Sequence, residues 1–214
     1  MFVAALFAGK PAPLGPRKAL SAICKHPVEQ LNVHWDRTDE DEQANKRLHG
    51  GPEKVLHQYS PDGYALINKH YPELEDTAVA GAIGENISVA GMNDENVFIG
   101  DTYAIGEVIV QVGAPRAPCN KINQRFGIKN FDRFTGDHGV TGWYYRIKQP
   151  GVMRVNDPVS LLERPAQSVS VGALMRAVYN KDHFWQAQSY VGLPVLDDEW
   201  RGKCEKAIAR QQNS

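Results

Sequence analysis

The hydrophobic pattern of this chain changes its period near Arg164-Pro165. Before that point, short apolar segments alternate with turns rich in glycine and proline, which is typical of a barrel-like β unit. After it, apolar residues recur at helical spacing, beginning with Val171 to Val178. The order of these patterns predicts a mainly β domain over residues 1–165, followed by a small three-helix domain over residues 166–214.

Individual elements follow from the same patterns. The predicted strands are Phe2–Ala8, Glu85–Val89, Glu107–Val112, Trp143–Ile147, Val152–Val155 and Val159–Leu162. A short helix is predicted over Tyr59–Tyr71, because Pro72 stops it. The first tail helix is predicted to begin after Ser170 as N-cap, and a middle helix is predicted over His183–Tyr190. The last helix is predicted along an apolar stripe from Trp200 to Ile208, with Asp197 or Asp198 as N-cap.

Composition narrows the class of protein. Lys plus Arg number 24 against 25 for Asp plus Glu, and this balance argues against a dedicated nucleic-acid binder, which carries a basic excess. Cys24, Cys119 and Cys204 cannot all pair, so we expect a reducing cytoplasm rather than a disulfide scaffold. The segment Phe2–Ala8 is too short for a membrane span and has no preceding basic residue, so we expect no signal peptide and no membrane partner.

Residues 36–47 are the most polar part of the chain. They carry eight charges and contain no apolar periodicity, so they are predicted to form an exposed loop. The motifs typical of P-loops, dinucleotide folds, zincins and serine hydrolases are all absent from the sequence.

The segment Gly113–Lys121 holds the densest group of reactive residues. Arg116, Cys119 and Lys121 follow a predicted strand in a loop that two prolines stiffen. Two nearby cations favour the thiolate form of a cysteine, and a thiolate is a nucleophile or a soft metal ligand. A small buried thiol beside surface charges is an equally open interpretation of the same residues.

Two other segments suggest an anion site. In His49-Gly50-Gly51, the paired glycines leave backbone N–H groups accessible to an anion, and Lys54 and His57 follow. A plain loop-to-helix junction explains the same residues. The motif Gly84-Glu85-Asn86 offers a carboxylate and an amide to a ligand, or forms a local bulge. Further cations that can converge on an anionic ligand are Arg17, Lys18 and Lys25.

Taken together, these segments resemble the MOSC family and are closest to its YiiM-like branch. The ordered set that carries the resemblance comprises Phe2–Ala8, Arg17-Lys18, Lys25, His49-Gly-Gly-Pro52, His57, Gly84-Glu-Asn86, Ile99-Gly-Asp101, Pro115–Lys121 and Thr141–Arg146. The tail is similar to the three-helix unit that follows the MOSC domain in that branch.

The resemblance implies a MOSC-type β-barrel core, a molybdenum cofactor of the molybdopterin type, and reduction of N-hydroxylated compounds such as 6-N-hydroxylaminopurine. It makes Cys119 the protein ligand to molybdenum. It assigns catalytic roles to Cys119, Arg116, Lys121 and His57. It assigns cofactor binding to Arg17, Lys18, Lys25, His49, Gly50, Gly51, Lys54, Glu85, Asn86 and Arg116. It also implies a separate reductase as electron donor, and a homodimer is compatible with it. Two alternatives remain open at this stage: a cysteine-dependent sulfur-transfer protein and a cofactor carrier without turnover.

Overall fold

The structure is a computed structural model that describes residues 1–45 and 50–212. Its strands are β1 (Val3–Ala8), β2 (Ala12–Leu14), β3 (Ala19–Ser21), β4 (His26–Val28), β5 (Gln30–Val33), β6 (Leu56–Gln58), β7 (Ile87–Val89), β8 (Thr102–Ile105), β9 (Val108–Pro115), β10 (Trp143–Gln149), β11 (Gly151–Arg154) and β12 (Val159–Glu163). Its α-helices are α1 (Pro61–His70), α2 (Asn120–Phe126), α3 (Phe131–His138), α4 (Val171–Tyr179), α5 (Ala187–Tyr190) and α6 (Asp198–Gln212). Two 3₁₀ turns cover Pro72–Leu74 and Lys181–Gln186.

Eight strands form one sheet in the order β12-β8-β9-β10-β6-β7-β1-β4. Every neighbouring pair in it is antiparallel except β6 and β7, which are parallel. The smaller pairs are β5–β11 and β2–β3. An isolated bridge between Phe2 and Pro158 joins the segment before β1 to the segment before β12. The predicted mainly β core followed by helices is confirmed.

The side chains of β9 alternate between buried and partly exposed positions, which is the pattern of a strand. Val108, Val110 and Val112 are buried, as predicted for one face, while Ile109 and Gln111 are partly exposed. The last residues of β9 are buried on both faces. The strand therefore enters the core at its carboxyl end and delivers the following loop to the interior.

The tail helices have the predicted caps. The Ser170 hydroxyl accepts from the Ala173 N–H at 3.2 Å, and Asp197 Oδ1 accepts from the Trp200 N–H at 2.7 Å. Trp200 and Leu174 belong to the same buried cluster as Trp143 of the sheet. The helices thus pack on the sheet's own core, and the boundary near residue 165 stays a prediction.

Among the described residues, no helix is long and apolar enough to cross a membrane.

The prediction of an exposed loop over residues 36–47 is wrong in its middle. Thr38 is buried and bridges Val33, and the Asp41 side chain is only 2 % exposed. The reason is a buried partner, since Asp41 lies 2.7 Å from Lys25 Nζ and also accepts from the Gly9 N–H at 2.9 Å. Lys46 and Arg47 lie outside the described residues.

Candidate functional site

A cavity of about 520 Å³ lies where β6, the end of β9 and the start of β10 meet. Its wall is completed by the chain from Leu20 to Lys25, by residues 41–45 and 83–86, and by the first turn of α2. Cavities of this size hold drug-sized ligands and cofactors. The residues that line it include Lys25, Lys54, His57, Asn86, Arg116, Cys119 and Lys121, all of them among the predicted site residues.

Cys119 is the free thiol of this cavity. It occupies the N-cap position of α2 in extended conformation, directly after the proline-held loop that leaves β9. It is half-buried, whereas Cys24 is exposed and Cys204 is buried in the helical core. Burial raises the pKa of the Cys204 thiol to about 11, so that thiol is inert at neutral pH. Cys119 is therefore the cysteine that combines access with a cavity.

Arg116 supplies the buried positive charge of the cavity. Its residue is 8 % exposed, and its backbone N–H donates to Gly142 O at 2.9 Å. Its guanidinium contacts the hydroxyl of Tyr144, a second cavity residue. Burial raises the pKa of Tyr144, although Arg116 opposes the shift, so the tyrosine stays protonated. No salt bridge within residues 1–45 and 50–212 includes Arg116, so its charge is available to an anionic ligand.

His57 is the buried imidazole of the cavity. It is 4 % exposed, and its Nε2 lies 3.3 Å from Thr141 O. Burial holds the pKa of His57 well below its ordinary value, and the charges of Arg116 and Lys25 lower it further. The backbone contacts with Thr141 and Gly84 act in the opposite direction but are weaker. The ring is therefore neutral at neutral pH, and the Thr141 carbonyl, which only accepts, pairs with the form of the ring that has its proton on Nε2.

Two predicted cations of the cavity already have acidic partners. Lys25 Nζ lies 2.7 Å from Asp41, and both side chains are nearly buried. Burial lowers the pKa of Lys25 even though Asp41 raises it. Lys54 Nζ lies 2.6 Å from Glu199 of α6 and 5.8 Å from the centre of the Tyr144 ring. These two lysines belong to the cavity wall as paired charges, and among the lining residues that the structure describes, Arg116 and Lys121 carry the remaining positive charge.

Several predicted ligand residues lie away from the cavity. Arg17 and Lys18 are exposed in the turn between β2 and β3, and Gly50 and Gly51 do not line the cavity either. His49 lies outside the described residues. The Gly51 φ of +87° fits the predicted flexible loop, but its backbone does not contribute to this wall.

The Gly84-Glu85-Asn86 motif serves the fold. The Glu85 carboxylate is completely buried and accepts from Tyr64 Oη at 2.7 Å and from the Gly81 N–H at 2.6 Å. Asn86 lines the cavity, but its amide links the His57 N–H to Phe7 O. The motif orders the wall that carries His57 instead of presenting its carboxylate to a ligand. The strand predicted from Glu85 accordingly begins at Ile87.

Sequence reasoning missed Asp41 and Tyr144 as cavity residues. Asp41 is one of several acidic residues in a polar run, and nothing local separates it from its neighbours. Tyr144 lies in a strand that was predicted, but the direction of its side chain depends on how β10 pairs with β6 and β9. Both contacts are long-range, and local patterns do not encode them.

Residues 45–160 match the MOSC domain family. The chain belongs to this family. It is 36 % identical over 150 residues to the protein YiiM of Escherichia coli, covering 70 % of this chain and 67 % of YiiM. It is 40 % identical over 139 residues to a protein of Gibberella moniliformis named a reductase, covering 64 % of this chain but only 25 % of that protein.

Solved structures agree with the fold of this MOSC protein. The crystal structure of YiiM from Geobacillus stearothermophilus superposes with a TM-score of 0.77 at 25 % identity. The match covers 97 % of this chain and 98 % of that one. The likeness therefore includes the helical tail as well as the MOSC domain.

Asp94 is a buried carboxyl group behind the cavity. Its residue is 2 % exposed, and its Oδ2 has no hydrogen-bond partner among the described residues. Burial raises the pKa of Asp94 to about 7, although hydrogen bonds from the Gly142 and Thr141 N–H groups oppose the shift. The group therefore titrates near neutral pH, in contrast to His57.

This shift predicts a pH-dependent stability. Between about pH 4 and about pH 7 the folded protein keeps the Asp94 proton while the unfolded chain releases it, so this group makes the free energy of unfolding fall as the pH rises. The variant Asp94→Asn is expected to lack this contribution. Urea unfolding at about pH 5 and about pH 8 measures it as a smaller stability difference than in wild type. The exposed Glu73→Gln serves as control, and an unchanged pH dependence in Asp94→Asn would contradict the assignment.

Proposed function

We propose that this chain binds a molybdenum cofactor in the cavity and reduces N-hydroxylated compounds. The observation that carries the proposal is one cavity that contains a free thiol, a neutral histidine and a buried arginine that forms no salt bridge with any described residue. Membership of the MOSC family and the similarity to a fungal reductase support an oxidoreductase that uses such a cofactor.

The residues of the cavity fit the cofactor. A cysteine sulfur is a suitable donor for a soft metal, and Cys119 offers one at the wall. Within the parts of the chain that the structure describes, no group of three or more His, Cys, Asp or Glu gathers to hold a metal ion. Cys119 therefore suits a metal that arrives with most of its ligands on an organic cofactor. Arg116 and Lys121 suit the phosphate of such a cofactor or the oxygen of a substrate.

The roles of the chain's own residues follow from their geometry. The bound cofactor supplies the two-electron chemistry that removes oxygen from nitrogen. Arg116 binds and orients the anionic group through a planar pair of donors. His57 holds a proton at Nε2 and is buried from bulk water, so it is placed to exchange a proton at the cavity wall. Reduction of an N–OH group to an amine and water consumes two electrons and two protons.

The electrons come from a separate donor in this proposal. The sequence contains no dinucleotide-binding motif, and the fungal reductase devotes three quarters of its length to sequence outside the matching segment. In this proposal a separate reductase in the cytoplasm supplies the two electrons.

Elemental analysis tests the proposal first. Protein purified from cells that make molybdopterin is expected to contain about one molybdenum per chain and to reduce 6-N-hydroxylaminopurine with an artificial electron donor. Molybdenum without turnover would indicate a cofactor carrier. Sulfur transfer by metal-free protein would support the cysteine-dependent alternative.

Arg116→Lys is expected to lower kcat/KM for an N-hydroxylated substrate roughly 10- to 100-fold, because lysine does not reproduce the paired donors of arginine. The fold should remain intact, since the backbone bond to Gly142 is retained. Steady-state kinetics and thermal unfolding measure the two effects. The matched control is Arg133→Lys on α3, which is exposed. Equal kinetics for the Arg116 variant and wild type would remove Arg116 from the binding site.

A further inference from the structure

One carboxylate outside the cavity is connected to two residues inside it. Asp94 Oδ1 accepts from the Thr141 N–H at 3.1 Å and from the Gly142 N–H at 2.8 Å. Asp94 is not among the described residues that line the cavity, and its side chain is connected to the cavity residues through this turn. A single oxygen therefore fixes two consecutive residues of the chain immediately before β10.

The carbonyl groups of the same two residues face the site. Thr141 O receives His57 Nε2 at 3.3 Å, and Gly142 O receives the Arg116 N–H at 2.9 Å. The Thr141-Gly142 turn thus has Asp94 on one side and two cavity residues on the other. Any movement of the turn changes both carbonyl positions together.

The turn has no space in which to adjust. Gly142 has a φ of +71°, and a Cβ there would lie 2.2 Å from Gln58 O and 2.9 Å from His57 Nε2. Asp94 is itself fixed, because its carbonyl accepts from the Gly172 N–H at 2.7 Å at the start of α4. Asp94 therefore contacts both the tail helix α4, through its carbonyl, and the Thr141-Gly142 turn, through its carboxylate.

We propose that Asp94 is a positioning residue of the cavity, which fixes the tautomer of His57 and the place of the Arg116 backbone through the Thr141-Gly142 turn. The proposal rests on the proposed function for the catalytic meaning of His57 and Arg116. The hydrogen bonds on which it is based do not depend on a bound cofactor. Without the two hydrogen bonds to Asp94, the turn loses the contact that aims the Thr141 carbonyl at Nε2.

The tautomer of His57 provides the direct test. Protein labelled with ¹⁵N-histidine shows by two-bond ¹H–¹⁵N correlation which ring nitrogen carries the proton, and His57→Gln identifies the signal among seven histidines. Wild type is expected to show the Nε2–H form. Asp94→Ala is expected to show a mixture of both tautomers and roughly tenfold faster hydrogen exchange at the Arg116 amide. Asp94→Asn retains an acceptor oxygen and is expected to keep the wild-type tautomer.

Asp101→Ala is the matched control for general loosening. Asp101 is also a fully buried carboxylate that accepts a backbone N–H, here from Phe98, but it lies at the junction with Arg164. Its removal should destabilise the fold and leave the His57 signal unchanged. An unchanged His57 tautomer and unchanged Arg116 exchange in Asp94→Ala would overturn the proposal. Equal changes in both alanine variants would overturn it as well.

Activity separates this proposal from the proposed function. In cofactor-loaded protein, Asp94→Ala is expected to lower kcat roughly tenfold, and Asp94→Asn to restore it to within about twofold of wild type. If wild type itself reduces no N-hydroxylated compound, the proposed function fails, while the histidine spectra still decide the role of Asp94.

Discussion

Replacing Cys119 by serine is expected to remove molybdenum from the purified protein and to lower turnover at least about 100-fold. Loss of a residue that merely supports a metal ligand costs roughly 10- to 100-fold, so loss of the proposed ligand should cost no less. A hydroxyl is a harder and far less acidic donor than a thiol, and the serine has no other means of holding a soft metal. Metal analysis and steady-state kinetics measure the two losses.

The fold should survive this change. Cys119 is half-buried at the start of α2, and serine is a good N-cap residue, so the free energy of unfolding should change by less than about 1 kcal/mol. Cys24→Ser, at an exposed cysteine, is the matched control and should retain both metal and turnover. Full molybdenum content in Cys119→Ser would refute the ligand assignment. Sulfur transfer by metal-free wild type that is lost in Cys119→Ser would favour the sulfur-transfer alternative.

Deleting residues 166–214 is expected to yield insoluble or unfolded protein. Trp200, Leu174 and Met175 are essentially unexposed and share one buried cluster with the sheet. Each such side chain contributes roughly 1.5–3 kcal/mol through burial, and a domain is stable by only about 5–15 kcal/mol in total. Solubility, size-exclusion chromatography and circular dichroism of the truncated chain test this.

Single substitutions in the tail test the same packing without removing the helices. Trp200→Ala, at a residue 1 % exposed, should cost roughly 3–5 kcal/mol in free energy of unfolding. Trp185→Ala, at a residue 59 % exposed, should cost little. A truncated chain that remains monomeric and unfolds cooperatively would show that residues 1–165 form an independent domain, as the hydrophobic pattern predicts.

Local signals predicted some elements of this fold, such as β9 and the tail helix α4, but not α2, α3 or short strands such as β8. The N-caps at Ser170 and Asp197 are short-range features, because a side chain and a backbone N–H three residues away decide them. The valines of β9 alternate with partly exposed residues, and that period is visible in the sequence. The sheet order is not visible, since the parallel pairing of β6 with β7 depends on a long crossover.

The candidate site was predictable only where its residues are adjacent in sequence. Arg116, Cys119 and Lys121 come from one loop, so local reasoning grouped them, and the structure places all three at one cavity. Lys25 was predicted to join these residues and does line the cavity. Its salt-bridge partner Asp41 was not predicted, because the two residues are brought together only by the tertiary fold. Local chemistry left open whether Cys119 is a metal ligand or a small buried thiol. The resemblance to the MOSC family favours the metal ligand, and that assignment stays a prediction.

The salt bridge between Lys54 and Glu199 has a consequence for how this family diversifies. A cavity lysine is neutralised by a helix that lies entirely outside the matched MOSC segment. Exchanging the helical tail of this chain would therefore alter the electrostatic character of the cavity without changing a residue of the matched MOSC segment. Chimeric chains should inherit part of their ligand preference from the donor of the tail.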